Sequence, residues 1–191
     1  MALKDIVIDR EYRSFSKDIV RSFFIPVLTH STEYYRAVGF FSSTALIEVS
    51  QGLISLLNNG GKIKLICSPK LTEDDIEAMS RGYSERKKII ESVALRSFAE
   101  PRNHFEEERL NLLAHLIENG QLDIKLALVE KEGSYAIYHE KMGIFKDRED
   151  NVVVFSGSLN ESITAYYSNY ETIDVFCSWK SEFEQGKIQD K

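Results

Sequence analysis

The chain has 191 residues, 43 % hydrophobic and 28 % charged, with a formal net charge of −6. That is an ordinary globular mix, enough for one substantial core but short for two domains. The acidic balance argues against a protein that coats nucleic acid nonspecifically, and no run of 18 apolar residues exists to span a membrane.

Arg13 to Leu28 carries Phe15, Ile19, Phe23, Phe24 and Val27 near helical spacing, which predicts a helix with Pro26 near its end. Tyr34 to Phe41 is aromatic and β-branched, a predicted strand. Ser42, Ser43 and Thr44 offer N-caps for a helix whose Val49, Leu53, Ile54, Leu56 and Leu57 face a core. Asn58-Asn59-Gly60-Gly61 stops it, and Lys62 to Cys67 reads as a buried strand. Thr72 to Phe98 predicts a charged helix with an acidic first turn, broken near Gly82. A further helix from Asn103 puts Phe105, Leu112, Leu113, Leu116 and Ile117 on one face and ends at Asn119-Gly120. Asp123 to Val129 is a strand, and Tyr135 to Phe145 and Val152 to Ser156 form an antiparallel pair around the Asp147–Asn151 turn. Ser162 to Tyr167 is a short helix, Thr172 to Cys177 a last strand, and Trp179 to Lys191 starts like a helix. Strands alternating with helices predict an α/β fold: a mixed β-sheet with helices on both faces, in one domain spanning 1–191.

The N-terminus lacks the charged head and apolar core of a signal peptide. Cys67 and Cys177 lie in apolar, strand-like runs and read as small buried hydrophobes, so a reducing cytoplasm is expected.

The chemistry concentrates in His139-Glu140-Lys141, Gly157-Ser158-Leu159-Asn160 and Asn169-Tyr170-Glu171. In an extended strand alternate side chains share a face, so His139 pairs with Lys141, and Ser158 with Asn160. An imidazole, an ammonium, a hydroxyl and an amide in one pocket suit a phosphodiester. They supply a nucleophile able to carry a phosphoryl group and donors for the non-bridging oxygens, with no metal or other cofactor required. Each residue alone has a plainer explanation: a surface histidine or lysine, a strand end at Gly157-Ser158, a helix cap at Asn160, an edge carboxylate at Glu171. The order is what makes them informative together.

These residues and their order resemble the phospholipase D superfamily, whose motif runs His-x-Lys, then Asp, then Gly-Ser-x-Asn, then Glu. The stretch from His139 to Asp147, with Phe155 to Glu161, looks most like its nuclease branch. Within that branch the likeness is to phospholipase D-like domains joined to DEAD/DEAH-type helicases and to bacterial restriction or defence systems. The resemblance covers Tyr138 to Val175, and more loosely the α/β pattern upstream. One departure stands: the motif Asp usually follows the Lys after four residues, where this chain has Lys146, with Asp147 one place later. Asp147 is either that Asp displaced by a longer hairpin or only a turn residue.

The resemblance implies a metal-independent DNA endonuclease acting through a phosphohistidine, with His139, Lys141, Asn160 and Glu171 catalytic and Ser158 binding substrate. In that scheme Lys141 and Asn160 also hold the non-bridging oxygens, and Glu171 accepts from the far nitrogen of His139. Family enzymes generally use two His-x-Lys motifs. This chain has one, because His30 lacks the lysine and His104 and His115 fall on a predicted amphipathic helix. A homodimer with a composite site across its two-fold axis is therefore expected. The abrupt end after Trp179, with the family likeness, implies the N-terminal part of a longer, helicase-linked protein. Two other readings stay open: a non-catalytic dimerisation or nucleic-acid docking domain beside a helicase, and a hydrolase of phospholipids or other phosphodiesters. Against the lipid reading, no amphipathic helix with a basic face is evident.

Overall fold

The computed structural model describes residues 1–68, 116–132 and 134–191. The strands are β1 (Glu11–Arg13), β2 (Glu33–Val38), β3 (Lys62–Cys67), β4 (Leu122–Leu126), β5 (Val129–Lys131), β6 (Ser134–Ala136), β7 (Lys141–Lys146), β8 (Val152–Gly157) and β9 (Thr172–Cys177). Seven of them form one sheet in the order β1-β9-β8-β7-β2-β3-β4, and β5 and β6 pair separately as a hairpin. β2, β3 and β4 run parallel, while β2–β7, β7–β8, β8–β9 and β1–β9 are antiparallel. The sheet is therefore mixed and the α/β class holds.

Parallel neighbours need a crossover, and α2 (Ser43–Glu48) and α3 (Ser50–Asn58) supply it between β2 and β3. Gly60, at φ 77°, makes the turn that ends it. The alternation of β2 and β7 sends Tyr34 and Phe145 to the same face, where they stack at 4.5 Å across the β2–β7 register. Phe23, Phe24, Phe155 and Tyr166 close around them in edge-to-face and tilted contacts, and α1 (Ile25–Thr29) and α3 pack over this core. Ile163–Tyr167 forms α4, capped by Ser162, and Glu182–Gln189 forms α5, capped by Ser181.

Several expected elements change. Residues 13–28 are not one helix: β1 pairs with β9, and only from Val20 does the chain coil. Pro26 lies in the last turn of this coil, three residues before its end at Thr29. Proline has no N–H and crowds the carbonyl four residues back, and a wide π turn over Val20–Phe24, with Ile25 N–H bonded to Val20 O, precedes it. Phe15 is exposed, and so is Ile54 of α3. β3 is not buried on both faces, since Lys62, Lys64 and Ile66 point outward. The expected 135–145 strand is split, because β6 leaves with the hairpin and β7 begins only at Lys141. The helices expected over Thr72–Phe98 and from Asn103, with His104 and His115, lie outside the described residues apart from the last helical turn at 116–118, which ends at Gly120 (φ 66°).

Candidate active site

β2 ends, β7 begins, β8 ends and β9 begins at one edge of the sheet, because β7 runs against β2 and β8, and β9 against β8. Lys141 pairs with Val38, and Gly157 pairs with Ile173. That register brings His139, Lys141, Ser158, Asn160 and Glu171 to the same edge. His139 and Ser158–Asn160 lie just beyond the strands rather than within them, so strand alternation does not orient them. Hydrogen bonds do.

His139 is exposed and packs on Gly39: a Cβ built there would lie 3.0 Å from its Cδ2 and 3.3 Å from its Cα. Glycine at 39 is what lets the imidazole lie over the end of β2. The His139 carbonyl accepts from Lys141 Nζ at 3.3 Å. Lys141 is buried. Burial lowers its pKa from the usual 10.5, the neighbouring Glu171 carboxylate opposes that, and the Arg36 guanidinium adds to it.

Asn160 Oδ1 accepts from the Phe40 N–H at 3.1 Å. A backbone N–H can only donate, so this bond fixes the amide's orientation and leaves its NH2 group to donate elsewhere. Ser158 donates to Glu171 Oε2 and accepts from the Thr172 N–H at 3.1 Å. A hydroxyl has one proton, so Ser158 as set here orients Glu171 and has none left for a substrate oxygen. Glu171 is buried, and its other oxygen accepts from Asn169 Nδ2 at 3.1 Å. Both carboxylate oxygens are thus engaged, and no bond from the His139 ring to Glu171 occurs among the described residues. Gly157 permits this approach of β8 to β9, since a Cβ there would come within 2.0 Å of Thr172 O.

Sequence reasoning missed the brace beneath the loop. Arg36 and Glu161 form an ion pair at 2.7 Å with both side chains 1 % exposed. Arg36 also donates to Leu159 O (2.6 Å), Met142 O (2.9 Å) and Ala37 O (3.1 Å), and Tyr166 OH donates to Glu161 at 2.5 Å. One guanidinium thus ties β2, β7 and the 159–161 loop together, setting Asn160 against Phe40. The signal was an arginine within Tyr34-Tyr35-Arg36-Ala37-Val38 at the parity of the two buried residues. Ser14 was missed too; it accepts from the Glu171 N–H at 3.0 Å and donates to Asn169 O at 2.9 Å.

Asp147 lies at the opposite end of β7, roughly 20 Å of extended chain from Lys141. Burial disfavours its charge, but the Asn151 amide and the N–H groups of Leu3, Asn151 and Glu149 outweigh that and hold its pKa below 3.8. It closes the β7–β8 hairpin and anchors the N-terminus. Among the described residues no three His, Cys, Asp or Glu side chains cluster as a metal site, and no helix is long and apolar enough to cross a membrane.

A mixed sheet of this order gathers the five residues at one end of its strands. The sequence model described as "Cardiolipin synthase, PLD-like domain" matches residues 25–185. The chain belongs to the phospholipase D-like family. No curated protein matches it. Among solved structures it is similar to NucT from Helicobacter pylori (15 % identity, TM-score 0.53), over 94 % of this chain and 92 % of that one. It is also similar to Nuc from Salmonella typhimurium, a phospholipase D family member (13 %, 0.51, 94 % and 88 %). A third likeness is to phosphatidylserine synthase from Haemophilus influenzae Rd KW20 (12 %, 0.54, 97 % and 38 %). At these identities the likenesses establish the fold.

Proposed function

We propose that the chain is a metal-independent DNA endonuclease, the nuclease domain of a restriction or defence system in the cytoplasm. The observation that carries this reading is the gathering of His139, Lys141, Asn160 and Glu171 at one sheet edge, with the Asn160 amide turned to donate. One His139 ring nitrogen attacks phosphorus as the P–O bond to the leaving strand breaks. His139 of a second subunit protonates the departing oxygen, then takes a proton from water, whose oxygen displaces the first histidine from phosphorus. Lys141 and Asn160 hold the non-bridging oxygens and offset the charge that develops there.

A single His-x-Lys motif per chain supports a homodimer with a composite site, since attack and leaving-group protonation need two groups. Ser158 acts by orienting Glu171 rather than by touching substrate. The carboxylate of Glu171 favours the charged form of Lys141. Residues 1–191 act as one domain, ahead of a helicase domain or partner. The cardiolipin-synthase description of the matched family favours a second reading, a phospholipid phosphodiester as substrate.

The test is cleavage in EDTA of single- and double-stranded DNA, and of phosphatidylglycerol vesicles, by wild type and His139→Ala. DNA cleavage by the wild type alone is expected. Lipid turnover without DNA cleavage would replace the first reading by the second, and a folded dimer inert toward both would leave a docking domain.

A further inference from the structure

Phe15 and Tyr170 are large aromatic residues left in the open, 70 % and 55 % exposed. They meet edge to face, with centroids 5.5 Å apart and planes at 83°. Neither hangs on a loose loop. The Ser14 hydroxyl bonds both Asn169 O and the Glu171 N–H, and the Ser14 N–H donates to Glu171 O at 3.0 Å. Arg13 Nη1 reaches Tyr170 OH at 3.4 Å. The rings are therefore held in place before anything binds, at a cost already met by the fold.

Their position gives them meaning. Tyr170 directly precedes Glu171, and Phe15 follows β1, so both lie on the edge that carries the candidate site. β9 is two strands and β1 three strands from β7, which puts the strands beside Tyr170 and Phe15 roughly 10 and 14 Å from the strand that carries Lys141. We propose that Phe15 and Tyr170 form a stacking shelf for an unpaired base of a nucleic-acid strand whose backbone crosses the candidate site. The inference rests on the nucleic-acid reading above and narrows it to single-stranded or locally unpaired substrate.

The local charges select a base rather than a phosphate as the occupant. Arg13 is paired with Glu11 at 2.7 Å and Lys17 with Asp9, so each of these neighbouring cations already has a carboxylate partner. What remains for a ligand is ring surface. Aromatic faces accept any base, so the shelf gives register and strand preference without sequence specificity.

The test measures binding of labelled single-stranded oligonucleotides to the full chain carrying His139→Ala, so that turnover does not interfere. Adding Phe15→Ala and Tyr170→Ala is expected to weaken binding roughly 5- to 150-fold. The dependence of log K on log salt should keep its slope, because no phosphate contact is lost. An oligonucleotide of equal length made of abasic units should bind equally with and without the two alanines. Phe15→Trp and Tyr170→Phe retain a ring and should retain affinity, the latter also showing that the Arg13 bond is dispensable. Unchanged binding of the intact oligonucleotide by the alanine pair overturns the shelf. So does unchanged binding with an altered sedimentation coefficient, which would make the patch a face for a second copy of this chain. Hydrolysis of bis(4-nitrophenyl) phosphate, which carries no base, separates the two levels. If it depends on His139 while the shelf fails, the phosphodiesterase reading survives alone. If no version binds any oligonucleotide, the shelf and the nucleic-acid reading fall together.

Discussion

Replacing Arg36 by Met tests the brace on which the active-site loop rests. Methionine approximates the length of the side chain but carries no charge and donates nothing. The substitution leaves Glu161 buried and unpaired, and strips donors from the carbonyls of Leu159, Met142 and Ala37. Breaking a buried pair by removing one partner costs about 3–5 kcal/mol. A domain of this size shifts its melting temperature by 2–4 °C per kcal/mol, so a fall of roughly 6–20 °C is expected. Against a total stability of about 5–15 kcal/mol, the variant still folds in the cold. Equilibrium urea unfolding of wild type, Arg36→Met, Glu161→Gln and the double variant measures the coupling. The double variant should be more stable than the sum of the single losses predicts, because the orphaned charge is gone. Activity at a temperature where the single variant is fully folded should still be depressed, since Asn160 has lost its setting. A loss below about 1 kcal/mol, or strict additivity, would refute the brace.

Gly39→Ala sets a methyl 3.0 Å from His139 Cδ2, so the imidazole must give by a few tenths of an ångström, and kcat is expected to fall, by less than the ~100-fold that a full 1 Å misplacement costs, with little change in melting temperature. An unchanged kcat would show that His139 does not work from this position. Because burial lowers the Lys141 pKa, activity that needs its charge should fall on the alkaline side at a pH below 10.5; an alkaline limb absent up to that pH contradicts this. Asp147 has a folded pKa held below its ordinary 3.8, so its stabilisation is complete above that value and is lost as pH falls through the lower one. Asp147→Asn should therefore lower stability at neutral pH by about 1–3 kcal/mol and shrink the acid-side loss seen in urea titrations at successive pH values, while sparing turnover in the cold. Phe145→Ala removes the ring stacked on Tyr34 and should cost about 3–5 kcal/mol by urea unfolding; a loss under 1 kcal/mol would mean the core closes over the gap.

The strands and the order of the site residues were legible because both are local signals. Tyr34–Val38, Val152–Ser156 and Thr172–Cys177 are apolar and β-branched over whole strand lengths. What was not legible depends on distant partners. β1 is three residues long and exists only because β9, over 150 residues away, offers its edge. Without that edge in view, Phe15 falls at helical spacing with Ile19 and Phe23 and reads as part of a helix. The Arg36–Glu161 pair spans 125 positions, so nothing near Arg36 in the sequence points to its partner. The hairpin of β5 and β6 takes Tyr135 and Ala136, so His139 is oriented by Gly39 and not by strand alternation. Asp147 belonged to a legible turn, but its grip on the N–H of Leu3 links residues 144 positions apart.

The most direct measurement of the central claim is alkali-quenched trapping of an acid-labile, alkali-stable covalent intermediate on a phosphorus-labelled oligonucleotide, in EDTA, with peptide mapping kept at alkaline pH. The account predicts label on the peptide holding His139, absent from His139→Ala, and half-site labelling in a dimer where each composite site uses one nucleophile. Cleavage in EDTA with no covalent label on that peptide, or turnover surviving in His139→Ala, would contradict it.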